Sequence, residues 1–131
     1  MNDVRRMAND KKRSEKDGIT VMSDSLPLPE SEFHRRVDAI VAALEGAFDE
    51  GDIDAEVSGG IVTLTMGNGS RIIVNRQTPN REIWVAAKSG GYHFRLDGEV
   101  WRDTRSAETL DALLARVIAE QGGGVTPITL P

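Results

Sequence analysis

Cysteine is absent from the 131 residues. That removes disulfide scaffolds, thiolate zinc sites, protein-held iron–sulfur clusters and cysteine nucleophiles at once. No window approaches ~20 consecutive apolar residues, so no membrane-spanning helix is expected. Only two histidines occur, and His34 and His93 fall on different predicted elements without a serine partner, which argues against a Ser-His-Asp catalytic set. Aromatic residues make up 5% of the chain, and the aromatic run that RNA-recognition sheets use for base stacking is missing. The glycine pairs lie between strands and not between a strand and a helix, so they read as turns and not as phosphate loops. The segment DEGDIDAEV lacks the central glycine and the spaced terminal glutamate of an EF-hand loop. Neither predicted helix carries the inward Glu-x-x-His pair of di-iron bundles.

What is present fits one domain with tails. Hydrophobic residues at 39% and charged residues at 28% are those of a globular chain, and 14.3 kDa supports one core. Residues 1–21 mix charge signs without an apolar period and are expected to be a disordered leader or an overlong start, with Met22 as an alternative beginning. They offer neither a secretory apolar core nor an acid-free transit peptide. Residues 22–29 read as a flexible lead-in.

From Pro29 to Glu50, Phe33, Val37, Ile40, Val41, Leu44 and Phe48 recur at helical spacing, and Gly51 is placed to end the helix. Alternating runs follow at 53–57, 60–66, 70–77, 82–88, 91–96 and 99–102. The turn chemistry of Gly59-Gly60, Asn68-Gly69, Pro79-Asn80, Gly90-Gly91 and Asp97-Gly98 makes them consecutive antiparallel strands. A second helix is predicted over 107–121, with Ser106 as N-cap and Leu110, Leu113, Leu114, Val117 and Ile118 as its apolar stripe. Residues 122–131 form a tail without a clear element, expected to be flexible, in which Ile128 and Leu130 are apolar enough to enter a groove. The fold class is therefore α+β: a two-layer sandwich of an antiparallel sheet of about six strands, with the N- and C-terminal helices packed on one face.

Alternation assigns Val62, Leu64, Ile72, Val74, Ile83, Val85, Phe94 and Leu96 to the helix side. The other face then carries Thr63, Thr65, Arg71, Asn75, Gln77, Glu82, Trp84, Lys88, His93 and Arg95. A tryptophan among amides and arginines has the composition of a protein-binding hot spot, against the simpler reading of a Trp lying flat on its sheet.

The net charge of −5 is unevenly spread. Residues 1–21 carry six basic and four acidic groups, residues 22–56 two and ten, and residues 57–131 eight and seven. The excess negative charge thus sits in one segment, which suits a cation or a basic protein surface and not nucleic acid or an anionic membrane. Glu30, His34, Asp38, Glu45 and Asp49 fall within a sector of about 100° on the first helix. Asp52, Asp54 and Glu56 alternate along the first strand about 6.7 Å apart. Such carboxylates suit hard cations but stand too far apart to enclose one ion, so several weak, water-completed sites are expected. The plainer alternative is a solvated acidic surface that aids solubility.

With these residues in view the sequence resembles the bacterial frataxins of the CyaY type over about residues 30 to 121. SEFHRRVD (31–38), NGS (68–70), NRQTPNREIWVA (75–86) and GGYHF (90–94) carry the resemblance. It implies the fold derived above and an iron-binding protein, ferrous or ferric, that regulates or supplies iron–sulfur cluster assembly by docking on a cysteine desulfurase and its scaffold partner. It further implies an iron-binding and docking ridge at Glu30, His34, Asp38, Glu45, Asp49, Glu50, Asp52, Asp54 and Glu56. Sheet-face contacts are implied at Asn75, Gln77, Glu82 and Trp84, with Glu82 standing where the family usually has glutamine. The ridge is interrupted by Gly46, Ala47, Phe48 and Gly51, which implies fewer or weaker ion sites than in the more acidic members. A cytoplasmic bacterial protein is expected, monomeric unless iron induces oligomers. A ferroxidase is the enzymatic alternative, disfavoured because nothing brings two irons together; a generic calcium-buffering or purely structural domain is the other.

Overall fold

The computed structural model describes residues 28–48 and 51–131. Residues 1–21, most of the 22–29 lead-in, and the ridge positions Asp49 and Glu50 lie outside the described residues.

Helix α1 spans Glu30–Ala47. No side chain caps its start; Glu30 and Glu32 in the first turn answer the partial positive charge of the exposed N–H groups instead. Phe33, Val37, Ile40 and Leu44 form its buried stripe. The helix ends before the predicted Gly51, because Phe48 leaves helical geometry at φ −118° and is buried in the core.

The first turn also makes an ion network that the sequence reading did not single out. Arg35 and Arg36 both donate to Glu32, and Arg36 reaches Glu99 at 2.9 Å. These hydrogen bonds pull the Glu32 carboxyl from its ordinary 4.5 down to about 2. The Glu32 contribution to stability is therefore complete above about pH 4.5 and is lost as pH falls through about 2. Because the site is exposed, the effect is small and salt-sensitive. In low salt, wild-type protein should lose more thermal stability than Glu32→Gln between those two pH values; parallel pH profiles would refute the assignment.

Six strands follow: β1 (Asp54–Ser58), β2 (Ile61–Thr65), β3 (Arg71–Gln77), β4 (Glu82–Ala87), β5 (Gly90–Asp97) and β6 (Val100–Asp103). They pair antiparallel in sequence order. The β1–β2 hairpin turns on Gly59 and Gly60, both at positive φ (60° and 79°), the geometry that a two-residue turn requires. Every residue assigned to the helix side is buried except Leu96, which is partly covered.

Helix α2 spans Leu110–Glu120, with Thr109 as N-cap. The predicted start at Ala107 behind a Ser106 cap is thus corrected. Ala107 adopts φ +66°, the Glu108 carbonyl accepts from Asp103 N at 2.8 Å, and Thr109 bridges Arg102, so these residues finish the sheet before the helix begins. Ser106 Oγ accepts only from the Glu108 N–H, at 3.2 Å. At the other end Gln121 is buried and its side chain joins three segments: Nε2 donates to Ser70 Oγ and Arg71 O, and Oε1 accepts from Lys88 N. The Gln121 carbonyl accepts from Asn68 Nδ2 at 2.8 Å. The NGS turn therefore caps α2, satisfying a carbonyl left open by the helix end. Beyond it, Ile128 and Leu130 pack against the core.

Both apolar stripes and the sheet's helix side form one core. No described helix is long and apolar enough to cross a membrane.

Candidate functional site

Two surfaces deserve description, and neither is a cavity. Clefts of about 220–270 Å³ near Trp101, Arg36 and Tyr92 contain no ridge carboxylate and not Trp84.

The first surface is the sheet face away from the helices. Register places Asn75 opposite Trp84 and Trp84 opposite His93, a row across β3, β4 and β5. The Trp84 and His93 rings stack with centroids 4.2 Å apart and planes 10° from parallel. The adjacent row is Gln77, Glu82 and Arg95. Glu82 accepts the Trp84 indole N–H at 2.8 Å on one oxygen and the Arg95 guanidinium on the other. Glu82 was expected to be open to a partner; it lies on the expected face, but only 4% exposed, because Trp84 and Arg95 close over it. Both its oxygens are used internally, and a buried carboxylate needs such partners. Its hydrogen bond fixes where the indole N–H points. Asn75 is exposed, and Gln77 accepts from Asn80 N at 3.4 Å in the following turn. Ile73, 39% exposed, adds apolar area beside the row.

The second surface is the ridge. Glu30, Asp38 and Glu45 on α1, Asp52 before β1, and Asp54 and Glu56 on β1 are all exposed. Asp54 and Glu56 share one side of the edge strand, opposite Thr65 and Thr63, as alternation requires. Among the described residues no three His, Asp or Glu side chains gather around a common point that would hold an ion. A cation at any of these carboxylates must then complete its shell with water.

The amino-terminal end of the ridge differs from the rest. Arg76 has the same parity on β3 as the buried Ile72 and Val74, and so points to the helix side. Its Nη1 lies 2.9 Å from His34 Nδ1, and its Nη2 donates to Asp38 Oδ1 at 2.8 Å. Glu30 Oε2 stands 3.5 Å from His34 Nε2. Arg76 was not assigned to either face from the sequence, although its even spacing from Ile72 and Val74 is the signal that could have flagged this contact.

Comparison with known proteins adds an independent line. Residues 26–124 match the family model of the frataxin-like domain. The chain is 50% identical over 103 residues to the iron-sulfur cluster assembly protein CyaY of Cupriavidus taiwanensis, covering 74% of this chain and 93% of that protein. The CyaY of Cupriavidus pinatubonensis is similar to the same degree, 50% over 101 residues. Among solved structures, a frataxin from Psychromonas ingrahamii superposes with a TM-score of 0.73 at 28% identity, covering 78% of this chain and 99% of that one. A trimeric frataxin of the yeast Saccharomyces cerevisiae, complexed with ferrous iron, gives 0.51 at 25% identity, over 76% and 92% of the two chains.

Proposed function

Because this chain belongs to the family of frataxin-like domains, we propose that it serves iron–sulfur cluster assembly as an iron-binding regulator or iron donor that docks on a cysteine desulfurase and its scaffold partner. Its site of action is the bacterial cytoplasm. The observation that carries the docking part is the row Asn75, Trp84, His93 on the open sheet face, with the indole fixed by stacking and by Glu82. A rigid aromatic beside amides and an arginine loses little conformational freedom on binding and presents a large contact area, the qualities of an interface anchor.

The ridge supplies the electrostatic half. Exposed carboxylates of one sign attract a basic partner surface and speed encounter, while the sheet face holds the complex once formed. The same carboxylates bind ferrous or ferric ion weakly, as oxygen donors with water completing each shell. Iron there neutralises ridge charge and so alters docking.

The test is binding to a purified cysteine desulfurase at low and at high salt. A complex that weakens as salt screens the ridge is the expected result. No complex under either condition would refute the docking role and leave a weak ion-binding domain.

A further inference from the structure

The inference rests on the reading of the ridge as an ion-binding surface and concerns which part of it accepts ions. Arg76 is only a donor, so His34 Nδ1, 2.9 Å from its Nη1, must be the acceptor. The imidazole proton is then on Nε2, facing Glu30 Oε2 at 3.5 Å. A metal-ligating imidazole needs a free nitrogen lone pair. Here one nitrogen is engaged by the guanidinium and the other carries hydrogen. Asp38 gives Oδ1 to the same guanidinium at 2.8 Å. The arginine is 19% exposed along its side chain, and its Nε is shut off from solvent without a hydrogen-bond partner among the described residues. A buried donor left unpaired is costly, so the side chain is held where it is by the two contacts it makes with α1.

We propose that Arg76 is an internal counter-cation that occupies the amino-terminal end of the acidic ridge and keeps divalent cations off His34 and off the Asp38 oxygen that it holds. His34 thus does not fit as an iron ligand while the guanidinium is in place, and Asp38 keeps one oxygen committed to it. Arg76 sets where on the ridge an ion binds, without touching the ion itself. Withdrawing it frees the imidazole and the Asp38 carboxylate, one turn apart, as two donors of a kind that suits a divalent transition ion with water completing the shell.

The experiment is a titration of the full chain with Mn²⁺, read residue by residue as paramagnetic broadening of nuclear magnetic resonance signals. In wild type the Asp52, Asp54 and Glu56 amides should broaden first while the His34 ring signals stay sharp. In Arg76→Met the His34 ring should broaden at a Mn²⁺ concentration lower by about tenfold or more, because a positive charge next to the donors has been removed. Arg76→Lys, which keeps the charge on a single ammonium, should fall between them. A His34 ring that broadens together with Asp54 in wild type, or one as sharp in Arg76→Met as in wild type, overturns the proposal. Wild type with no broadening at the Asp52–Glu56 end, combined with a His34 response in Arg76→Met, keeps the assignment of Arg76 but sinks the reading of the ridge as an ion site. Should the methionine variant fail to fold, the nitrogen shifts of the wild-type His34 ring still decide. An Nε2–H tautomer with Nδ1 accepting is expected, and an Nδ1–H ring overturns the contact.

Discussion

Replacing Trp84 by alanine is expected to weaken binding to the desulfurase and scaffold assembly by roughly 30-fold, about 2 kcal/mol, without unfolding the domain. The indole lies on the sheet face away from the core, so its removal leaves the packing of Ile83 and Val85 against the helices intact. What is lost is a prepositioned aromatic surface. The ring is stacked on His93 and its N–H is committed to Glu82, so the free protein already holds it in one orientation and little entropy remains to be lost on docking. Since the N–H is satisfied internally, a partner docked on this face would meet the ring and its apolar edge. Glu82→Gln keeps an acceptor for the indole and should retain most of the affinity, whereas Glu82→Ala frees the ring and should reproduce part of the Trp84→Ala loss. Calorimetric titration separates these outcomes. Equal affinities for wild type and Trp84→Ala would remove the sheet face from the interface.

Phe33→Ala is expected to cost about 3–5 kcal/mol of folding stability, a large share of what a domain of this size has. Phe33 is fully buried near the start of α1 and meets the Trp101 ring edge-on, with centroids 6.2 Å apart and planes at 69°. With the Arg36–Glu99 ion pair, this contact ties the first turn of α1 to β6. Truncation leaves a cavity that rigid strands cannot close, and aromatic pairing is lost in addition to buried area. A fall in Tm of at least about 10 °C should accompany it. Because His34 follows directly and packs its own ring against Phe33 at 5.4 Å, the Arg76 contact should loosen in the same variant. A stability loss under about 1 kcal/mol would mean that the first turn of α1 does not pack as described.

The elements themselves were legible because their signals are local. Spacing of 3.6 residues in Phe33, Val37, Ile40 and Leu44, and of two in Ile72, Val74, Ile83 and Val85, reports which side of an element faces the core wherever that core is. The order of strands followed from connections too short to cross over. The outward-facing row of Asn75 and Trp84 was readable for the same reason, since alternation that sends Val74 and Val85 inward sends their neighbours outward. The start of α2 was not readable in this way. Ser106 and Thr109 are both competent caps, and the choice was made by the pairing of Asp103 with Glu108, a contact within the folded sheet.

The sequence by itself therefore determined the α+β sandwich, its antiparallel order, the acidic stretch and the aromatic on the open face, all of which depend on periodicity and on charge counted along the chain. Only the tertiary structure decided which charges are free. Glu82 and Arg95 meet across a strand pair, and Arg76 reaches His34 from a position 42 residues away. The availability of a charged side chain depends on what the fold sets within about 3–4 Å of it. No pattern along the chain encodes that distance; it exists only once α1 has docked beside β3.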